Sequence, residues 1–393
     1  MASAKTKSTW LFLHRWFGIV TAAFLVIAAV TGCLLTARDS LDRWVNADLF
    51  AYNGAASARL ATIDAVNQFE RAHPDIQVTG FPLQTAPDEN IPVLVAAKPG
   101  MDHVEQDQVF LNPATGGIVG KRSTHSGWSG RQIIPLLADI HFNLLAGDAG
   151  RIFMGFIALG WMFSSGVGLY LTLPLKRPFF KNWWPAWTYS PKRSFARQLL
   201  DIHRSSALWL FPFLFILAFT SVALNFFSEV YSPVATTISP LEKTLFDAEA
   251  PFPDGTTPNL TYADGFALAA EQATKDAISW HPATMLYYPN WNLYGTTFTD
   301  NGQLNYKKLG PIYYYFDATT GAFVHEVNPY TDSAGLVMIR ILYPTHSGEF
   351  AGGLSVFFIF VLGLATTEQC VTGIWVWWKK RKPRIAAKKL SRT

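Results

Sequence analysis

Four histidines with matched surroundings are the side chains best suited to chemistry: His14, His141, His203 and His346. His14 and His203 are each followed by an arginine and, 17 residues later, by a threonine within a long apolar run. His141 and His346 each precede another apolar run, and each is followed six residues later by a glycine. The spacing predicts a duplicated chain, with histidines at the same membrane depth in each half.

A histidine inside a membrane costs free energy unless its ring has a partner, so it indicates a function. Haem iron accepts a neutral imidazole as an axial ligand, and two facing helices can supply both ligands. Pseudo-two-fold symmetry would bring His14 to His203 on one side of the membrane and His141 to His346 on the other. A lone histidine would be read as a structural core residue, but two matched pairs predict two bis-histidine haem sites that carry electrons across a bilayer.

Arginines beside the histidines could bind haem propionates through charge-assisted hydrogen bonds. Arg15 and Arg204 have this position next to the pair of His14 and His203. The candidates near the other pair are Arg131, Arg151 and Arg340. Each arginine could instead be an interface charge whose aliphatic stem lies along apolar surface.

Small residues accompany the histidines. Gly18 and Ala207 lie one helical turn beyond His14 and His203 on the same face, which leaves room for a flat ligand. Other glycines suit close helix packing or porphyrin binding equally well: Gly155, Gly160, Gly166, Gly352, Gly353 and Gly363.

The composition indicates an integral membrane protein. Of the 393 residues, 50% are hydrophobic and 15% charged, whereas a soluble domain has nearer a quarter charged residues. Four apolar runs reach the roughly 20 residues that a spanning helix needs. The predicted organisation is a tail with span one (1–36), a first outer domain with an interfacial helix (37–150), span two (151–173), a loop (174–204), span three (205–227), a second outer domain (228–351), span four (352–378) and a basic tail (379–393).

Basic residues predict the orientation. Residues 1–15, 174–204 and 379–393 hold 18 of the 32 lysines and arginines. By the positive-inside rule these segments are cytoplasmic, which places the loops 37–150 and 228–351 outside. The net charge of +4 is therefore a signal of topology, and no nucleic-acid partner is expected.

A cleaved signal peptide is the alternative interpretation of the first span. Val30-Thr31-Gly32-Cys33 resembles a lipoprotein cleavage box. The apolar run is too long for a signal sequence, and cleavage would remove His14 but not His203. We therefore expect an uncleaved span.

Both outer loops show α+β patterns. The first has a helical pattern over 61–72 and strand-like stretches at 91–97 and 107–111. The second has a helix candidate at 263–277 and strand-like stretches at 284–288, 292–299 and 311–316. Helices over 131–146 and 335–345 lead to the second and fourth spans, and Pro344 is expected to end the latter helix before His346.

Two kinds of residue inside the spans have open roles. Glu368 could be a proton relay, a quinol contact or a structural carboxyl bonded to Thr366, Gln369 or another helix. The only two cysteines, Cys33 and Cys370, lie in apolar runs, which excludes a disulfide framework and is typical of small buried residues.

Several motifs resemble the PepSY-associated transmembrane family over nearly the whole chain. They are His14-Arg15-Trp16 with Thr31-Gly32, the turn Asn112-Pro113-Ala114-Thr115-Gly116, and Tyr343-Pro344-Thr345-His346-Ser347-Gly348. The resemblance implies a bacterial inner-membrane protein with periplasmic PepSY-like domains at 51–122 and 256–327. It also implies b-type haems on His14, His141, His203 and His346, as in di-haem ferric-siderophore reductases of the ferrioxamine reductase type. Thr345 stands where the family pattern leads us to expect leucine.

Three functions compete at this stage. The first is a haem-dependent oxidoreductase that takes electrons from a cytoplasmic or quinol donor and reduces ferric siderophore in the periplasm. The second is a membrane-anchored regulatory protein that restrains a periplasmic peptidase, which leaves four buried imidazoles unexplained. The third is a siderophore permease, which four spans and large outer domains suit poorly. Aromatic residues of the second loop could contact a ligand, although strand core explains them better: Tyr287, Tyr288, Trp291, Tyr313, Tyr314 and Tyr315.

Overall fold

The computed structural model describes residues 4–241, 245–247, 249–303 and 308–381. The chain forms two compact units. A helical unit comprises Met1–Ala37, Leu137–Val234 and Leu342–Thr393, and a sheet unit comprises Arg38–Leu136 and Ala235–Ile341.

Along the chain, groups of helices precede and follow two runs of four strands. The helices are α1 (Ala4–Leu35), α2 (Arg38–Val45), α3 (Ala47–Phe50), α4 (Thr62–Ala72), α5 (Ile133–Asn143), α6 (Gly147–Thr172), α7 (Phe179–Trp183), α8 (Phe195–Asn225), α9 (Ser232–Ile238), α10 (Tyr262–Lys275), α11 (Ala334–Ser347) and α12 (Gly353–Lys379). The strands are β1 (Ile76–Pro82), β2 (Ile91–Ala97), β3 (Gln108–Leu111), β4 (Ile118–Arg122), β5 (His281–Tyr288), β6 (Leu293–Thr299), β7 (Ile312–Asp317) and β8 (Phe323–Val327).

Four helices of the helical unit are long and apolar enough to cross a membrane. They are α1, α6, α8 and α12, whose most apolar windows have mean hydropathies of 2.4, 1.7, 2.2 and 1.8. The number of predicted spans is confirmed. Helix α8 begins at Phe195, ten residues before the predicted span, because Arg197 and Arg204 pair with Asp201 within the helix and allow its first turns to be polar.

These four helices pack as a bundle in which α1 and α8 each contact both α6 and α12. Glycines permit close approach at several crossings. A Cβ at Gly155 would lie 2.6 Å from the ring of Phe226, and one at Gly363 would lie 2.5 Å from Cys33 Sγ. Packing therefore explains these glycines without a ligand.

The sheet unit contains one antiparallel sheet with the order β4-β3-β2-β1-β5-β6-β7-β8. Each outer loop supplies four strands, and β1 pairs with β5 through Gly80 with Leu286 and Phe81 with Met285. The structure thus has one continuous sheet where the sequence suggested two separate domains. The pairing joins residues some 200 positions apart, and this pairing leaves no local pattern in the sequence.

Helices α4 and α10 cover one face of this sheet. Their side chains Phe69 and Tyr262 lie in a core with Val78, Met285 and Tyr294 from the strands. Four of the six aromatic residues considered above are core residues, with at most 8% of their surface exposed: Tyr287, Tyr313, Tyr314 and Tyr315. The strand-core interpretation is correct for these four.

Helices α5 and α11 connect the two units. Helix α5 ends at Asn143, as the pattern broadly predicted. Helix α11 continues through Pro344 to Ser347, so the expectation that Pro344 ends the helix before His346 is wrong. A proline lacks its own N–H donor but keeps its carbonyl acceptor, so the turn after Pro344 can still form, and the N–H of Gly348 donates to the carbonyl of Pro344 at 2.8 Å.

Candidate functional site

The first histidine pair consists of His14 on α1 and His203 on α8. The centroids of the two rings lie 6.4 Å apart, and their planes cross at 60°. His14 Nδ1 lies 3.0 Å from the carbonyl oxygen of Ser164 and 3.0 Å from its Oγ, both on α6. His203 Nδ1 lies 3.0 Å from Oγ1 of Thr372 on α12. All four helices of the bundle therefore contribute to this pair.

The second histidine pair consists of His141 on α5 and His346 on α11. Their ring centroids lie 6.1 Å apart, with planes crossing at 57°. His141 Nδ1 lies 2.9 Å from the carbonyl oxygen of Ala28 on α1, and His346 Nδ1 lies 3.0 Å from Oγ1 of Thr220 on α8. The structure thus brings together both pairs that the spacing predicted.

The two pairs lie at different levels of the bundle. The contact of His141 with α1 is at Ala28, 14 residues after His14. A helix rises about 1.5 Å per residue, so the pairs are separated by about 20 Å along α1. The predicted arrangement of one pair above the other is therefore present.

The hydrogen bonds of all four rings use Nδ1, among the residues that the structure describes. Metal-bound histidines commonly use one ring nitrogen in this way and coordinate through the other. Imidazole–metal bonds of about 2 Å put two coaxial rings roughly 6 Å apart between centroids. The measured separations of 6.4 and 6.1 Å match that requirement.

Each pair offers two protein ligands and no more. Within the described part of the chain, no group of three or more His, Cys, Asp or Glu side chains could hold a metal ion. A site with two axial imidazoles suits a group that brings its own equatorial ligands, as the porphyrin of haem does. The donor set therefore fits haem better than a bare metal ion.

A cavity of about 410 Å³ surrounds the first histidine pair. This volume lies within the range of about 300–1,000 Å³ that is usual for small-molecule and cofactor sites. Gly18 and Ala207 line the cavity, as the sequence suggested. A Cβ at Gly168 would lie 3.1 Å from Cε1 of His14, and one at Gly373 would lie 3.3 Å from Cε1 of His203. Gly168 and Gly373 have no side chain and therefore let the two imidazoles lie against the neighbouring helices.

Arg15 and Arg204 line the same cavity. In each, Nε is buried and has no hydrogen-bond partner among the described residues. An unpartnered buried donor is costly, and a carboxylate ligand would satisfy it. The positions of both arginines therefore fit the predicted role of binding haem propionates.

Asp201 ties Arg204 into a cluster of charges. The carboxylate is fully buried and lies 2.6 Å from Arg193 Nη1, 3.5 Å from Arg197 Nε and 3.0 Å from Arg204 Nη2. A buried acid needs such partners, since an uncompensated charge would be strongly destabilising. This cluster fixes the guanidinium of Arg204 at the end of the bundle that also carries Arg15 and Lys380, which we call the basic end.

The three arginines proposed for the second pair have other partners. Arg151 donates to Asp148 at 2.7 Å, to Glu229 at 2.5 Å and to the carbonyl of Asn225. Arg131 forms a double hydrogen bond with Asp48, and Arg340 lies over the ring of Tyr313. These contacts explain the three residues without a ligand, so their assignment to a haem is not supported by the geometry.

Glu368 on α12 belongs to a small polar network near His203. Its carboxylate accepts hydrogen bonds from Ser206 Oγ at 2.8 Å, Gln369 Nε2 at 3.1 Å and Thr372 Oγ1 at 3.2 Å. Of the partners considered from the sequence, Gln369 is correct, while Thr366 donates to the carbonyl of Leu362 instead.

The remaining histidines lie in the sheet unit and do not form a matched pair. His103 and His281 are exposed, and His73 and His325 are half-buried. His125 has 86% of its side chain exposed, and its Nε2 lies 3.9 Å from Asp107. None of these five histidines is buried.

Sequence reasoning missed several residues that hold the histidines. Gly168 and Gly373 are 205 residues apart, which is also the spacing from His141 to His346. The same spacing relates Ser164 to Gln369. A search of the sequence for similar residues 205 positions apart would have found both of these pairs. The hydrogen bond from His203 to Thr372 has no counterpart in the other half, so only the structure shows it.

The bundle and the sheet define a membrane protein with four candidate spanning helices and an antiparallel sheet domain. The profile of the PepSY-associated TM region matches residues 11–380, and the chain belongs to that family. A comparison with curated proteins finds no match.

Proposed function

We propose that this protein is a di-haem oxidoreductase that carries electrons across the bacterial inner membrane. The observation that carries the proposal is the presence of two histidine pairs, each with ring centroids close to 6 Å apart and each ring bonded through Nδ1. Facing imidazoles at this separation serve a shared metal centre better than they serve packing. The regulatory alternative provides no use for either pair.

We also propose that the chain is an internal two-fold repeat. The sheet order runs outwards from β1 and from β5 through strands in the same succession. His14 and His203 occupy equivalent places at the basic end, and His141 and His346 do so at the other level. Duplication explains why each site takes one ligand from each half.

Bound haem supplies one-electron redox chemistry at each pair. The chain's own part is to hold the ring of His14 against Ser164 and that of His203 against Thr372, and to offer Arg15 and Arg204 to carboxylates. Apolar side chains, such as Leu25 and Leu214, line the cavity and would shield a bound haem from water. A dry site with fixed dipoles sets the redox potential more firmly than solvent does.

The basic end is proposed to be cytoplasmic, in accordance with the positive-inside rule. The segments that build the sheet unit leave the bundle after α1 and α8, at the opposite end of those helices, and would then be periplasmic. An electron entering at the first histidine pair from a cytoplasmic or quinol donor would leave from the second pair on the periplasmic side.

The electron acceptor is proposed to be ferric siderophore, which rests on the family resemblance. Ferric iron is held tightly by hard oxygen ligands. Addition of one electron gives ferrous iron, which these ligands hold less tightly, and the metal is released. No described residue of the sheet unit is assigned to siderophore binding.

The first test is the haem content of the purified protein. Detergent-solubilised protein should be red and show low-spin α and β bands after reduction with dithionite. His14→Ala should remove about half of the haem, His346→Ala the other half, and the double variant nearly all, because each change deletes one axial ligand. His103→Ala, an exposed histidine of the sheet unit, is the control and should leave the spectrum unchanged.

A colourless protein from haem-replete cells would refute the proposal and favour the regulatory alternative. Reduction of a panel of ferric chelates by the haem-loaded protein in vesicles then tests the acceptor. His346→Ala should keep a reducible first haem but lose chelate reduction, since the electron would have no second site to reach.

A further inference from the structure

The carboxyl group of Glu368 lies within hydrogen-bond distance of Thr372, the residue that contacts the ring of His203. Glu368 Oε1 lies 3.2 Å from Thr372 Oγ1, and this hydroxyl lies 3.0 Å from His203 Nδ1. A threonine hydroxyl accepts one hydrogen bond while donating another. The ring N–H of His203 can therefore donate to Thr372. The single hydroxyl proton of Thr372 has two acceptors in Glu368, the carboxylate at 3.2 Å and the backbone carbonyl at 2.7 Å.

The first half of the chain lacks this connection. In the 205-residue register, Glu368 corresponds to Phe163 and Thr372 to Val167. Among the residues that the structure describes, the hydrogen-bond partners of His14 Nδ1 are the carbonyl and the hydroxyl of Ser164. The packing of a histidine against a neighbouring helix is thus possible without an acid, so the seating of His203 does not by itself require Glu368. A carboxyl at membrane depth is costly and indicates a function.

We propose that Glu368 is the proton-binding group of the first histidine pair and that it acts on His203 through Thr372. This inference rests on the haem assignment proposed above. As a carboxylate, Glu368 draws the Nδ1 proton of His203 towards Thr372 and makes the imidazole a stronger donor to the metal. As a carboxylic acid it no longer does so.

The proton and the electron are therefore linked. When the site gains one electron from a one-electron reductant such as a reduced flavin, one O–H bond forms at Glu368. The proton comes from water at the basic end, where Lys380 lines the cavity. Gln369 lines the same cavity, and its Nε2 contacts the Glu368 carboxylate at 3.1 Å. The positive charge of the proton offsets the negative charge of the added electron.

Other titratable or charged groups face this region from each helix. Helix α8 contributes His203 and Arg204, and α1 contributes His14 and Arg15. Helix α12 itself contributes Cys370 and Lys380. The described cavity lining from α6 includes no acid or base. The arginines remain charged at all accessible pH values and the histidines are committed as ligands, so Cys370 is the neighbour that an experiment must separate from Glu368.

The test is an optical redox titration of the haem-loaded protein at a series of pH values. The His346→Ala variant isolates the first haem, and the full protein is titrated in parallel. One proton per electron lowers the midpoint potential by about 59 mV for each tenfold fall in proton concentration. We expect this slope in part of the accessible pH range, and Glu368→Gln, which keeps the shape of the side chain, should abolish it.

Variants of Thr372 test the connection itself. Thr372→Val should remove most of the slope although the carboxyl remains, and Thr372→Ser should restore it because the hydroxyl returns. Thr367→Val is the matched control, since that hydroxyl donates only to Gly363 of its own helix at 3.0 Å. Cys370→Ser should retain the slope.

The outcomes are separable from those of the proposed function. Protein without haem refutes the haem assignment. Red protein whose slope survives in Glu368→Gln, or disappears in Cys370→Ser, overturns the role of Glu368 and leaves the haem assignment intact.

Discussion

At the scale of single residues, each histidine is held by a helix other than its own. His14 is bonded to α6, His203 to α12, His141 to α1 and His346 to α8. The orientation of each ring therefore depends on two helices at once, which preorganises the four imidazoles. A change in the distance between two of these helices would therefore change the orientation of the corresponding imidazole ring.

Gly168→Ala tests how closely the ring of His14 is constrained. The new Cβ would lie 3.1 Å from Cε1 of His14, so the ring must shift by a few tenths of an ångström. We expect weaker binding of the haem that is proposed at the first histidine pair and shifted low-spin absorption bands for that site. The second site should be unchanged. The measurement is haem content and the reduced spectrum of the purified variant.

Gly166→Ala is the matched control on the same helix. Nothing lies within 4 Å of a Cβ at Gly166. Alanine favours a helix over glycine by up to about 1 kcal/mol, so the control should be as stable as the wild type or more stable. Equal haem loss in both variants would show that the helix, and not the ring contact, is responsible.

Residue types and matched spacing predicted the histidine partners, and the structure places His14 beside His203 and His141 beside His346. The same reasoning proposed Arg15 and Arg204 correctly as residues of the cavity. For Arg151 the geometry gives no support, because nearness in sequence to an apolar run does not reveal that Asp148 and Glu229 pair with the guanidinium. The hydrogen bond between His203 and Thr372 joins residues far apart in sequence and could not be predicted.

At the scale of elements, amphipathic periodicity predicted α4 and α10 well and missed three strands. Strand β1 is buried at nearly every position, so its sequence lacks the alternation of a half-buried strand. Strands β4 and β8 are short edge strands with mostly exposed or half-buried side chains. Alternation of apolar and polar residues is typical of strands with one solvent-exposed face, and none of these three strands shows that alternation.

A buried network joins α4, β1 and α10 in the sheet unit. Glu70 Oε1 accepts hydrogen bonds from the N–H of Val78 at 2.8 Å, from Tyr262 OH at 2.8 Å and from Gln77 Nε2 at 3.1 Å. Glu70 lies in the first half of the chain and Tyr262 in the second. The network therefore connects the halves on the side of the sheet covered by helices.

The stability of the sheet unit should fall with rising pH through the titration of Glu70. Burial raises the pKa of Glu70 above its ordinary value of 4.5, and the hydrogen bonds from Val78 and Tyr262 offset only part of that effect. The folded state then binds the proton more tightly than the unfolded state. Its stabilising contribution is complete below pH 4.5 and is lost as the pH rises through the folded-state pKa.

Glu70→Gln should flatten this dependence, as measured by urea denaturation at several pH values with circular dichroism. Glu271→Gln is the control, because that exposed acid is paired with Lys275 and has a lowered pKa. A wild-type protein whose stability rises from pH 4.5 upwards, with the rise removed by Glu70→Gln, would show that the hydrogen bonds outweigh burial.

At the scale of the whole molecule, apolar runs and residue patterns predicted four spans and two α+β loops but not how the loops combine. The strands of both loops pair through β1 and β5 into one sheet. Separated, each loop would leave a long apolar edge strand unpaired. Such an edge is a template for aggregation, which the continuous sheet avoids.

The sheet unit should therefore fold only when both of its segments are present. A soluble chain that joins 38–136 to 235–341 through a flexible linker should be monomeric and unfold cooperatively on heating. The segment 38–136 alone should aggregate or remain unfolded, because it would expose the edge of β1, including the partners of Leu286 and Met285. Size-exclusion chromatography and circular dichroism measure both properties. Cooperative unfolding of the isolated first segment as a monomer would show that each loop is a domain by itself, and that the pairing of β1 with β5 contributes little to its stability.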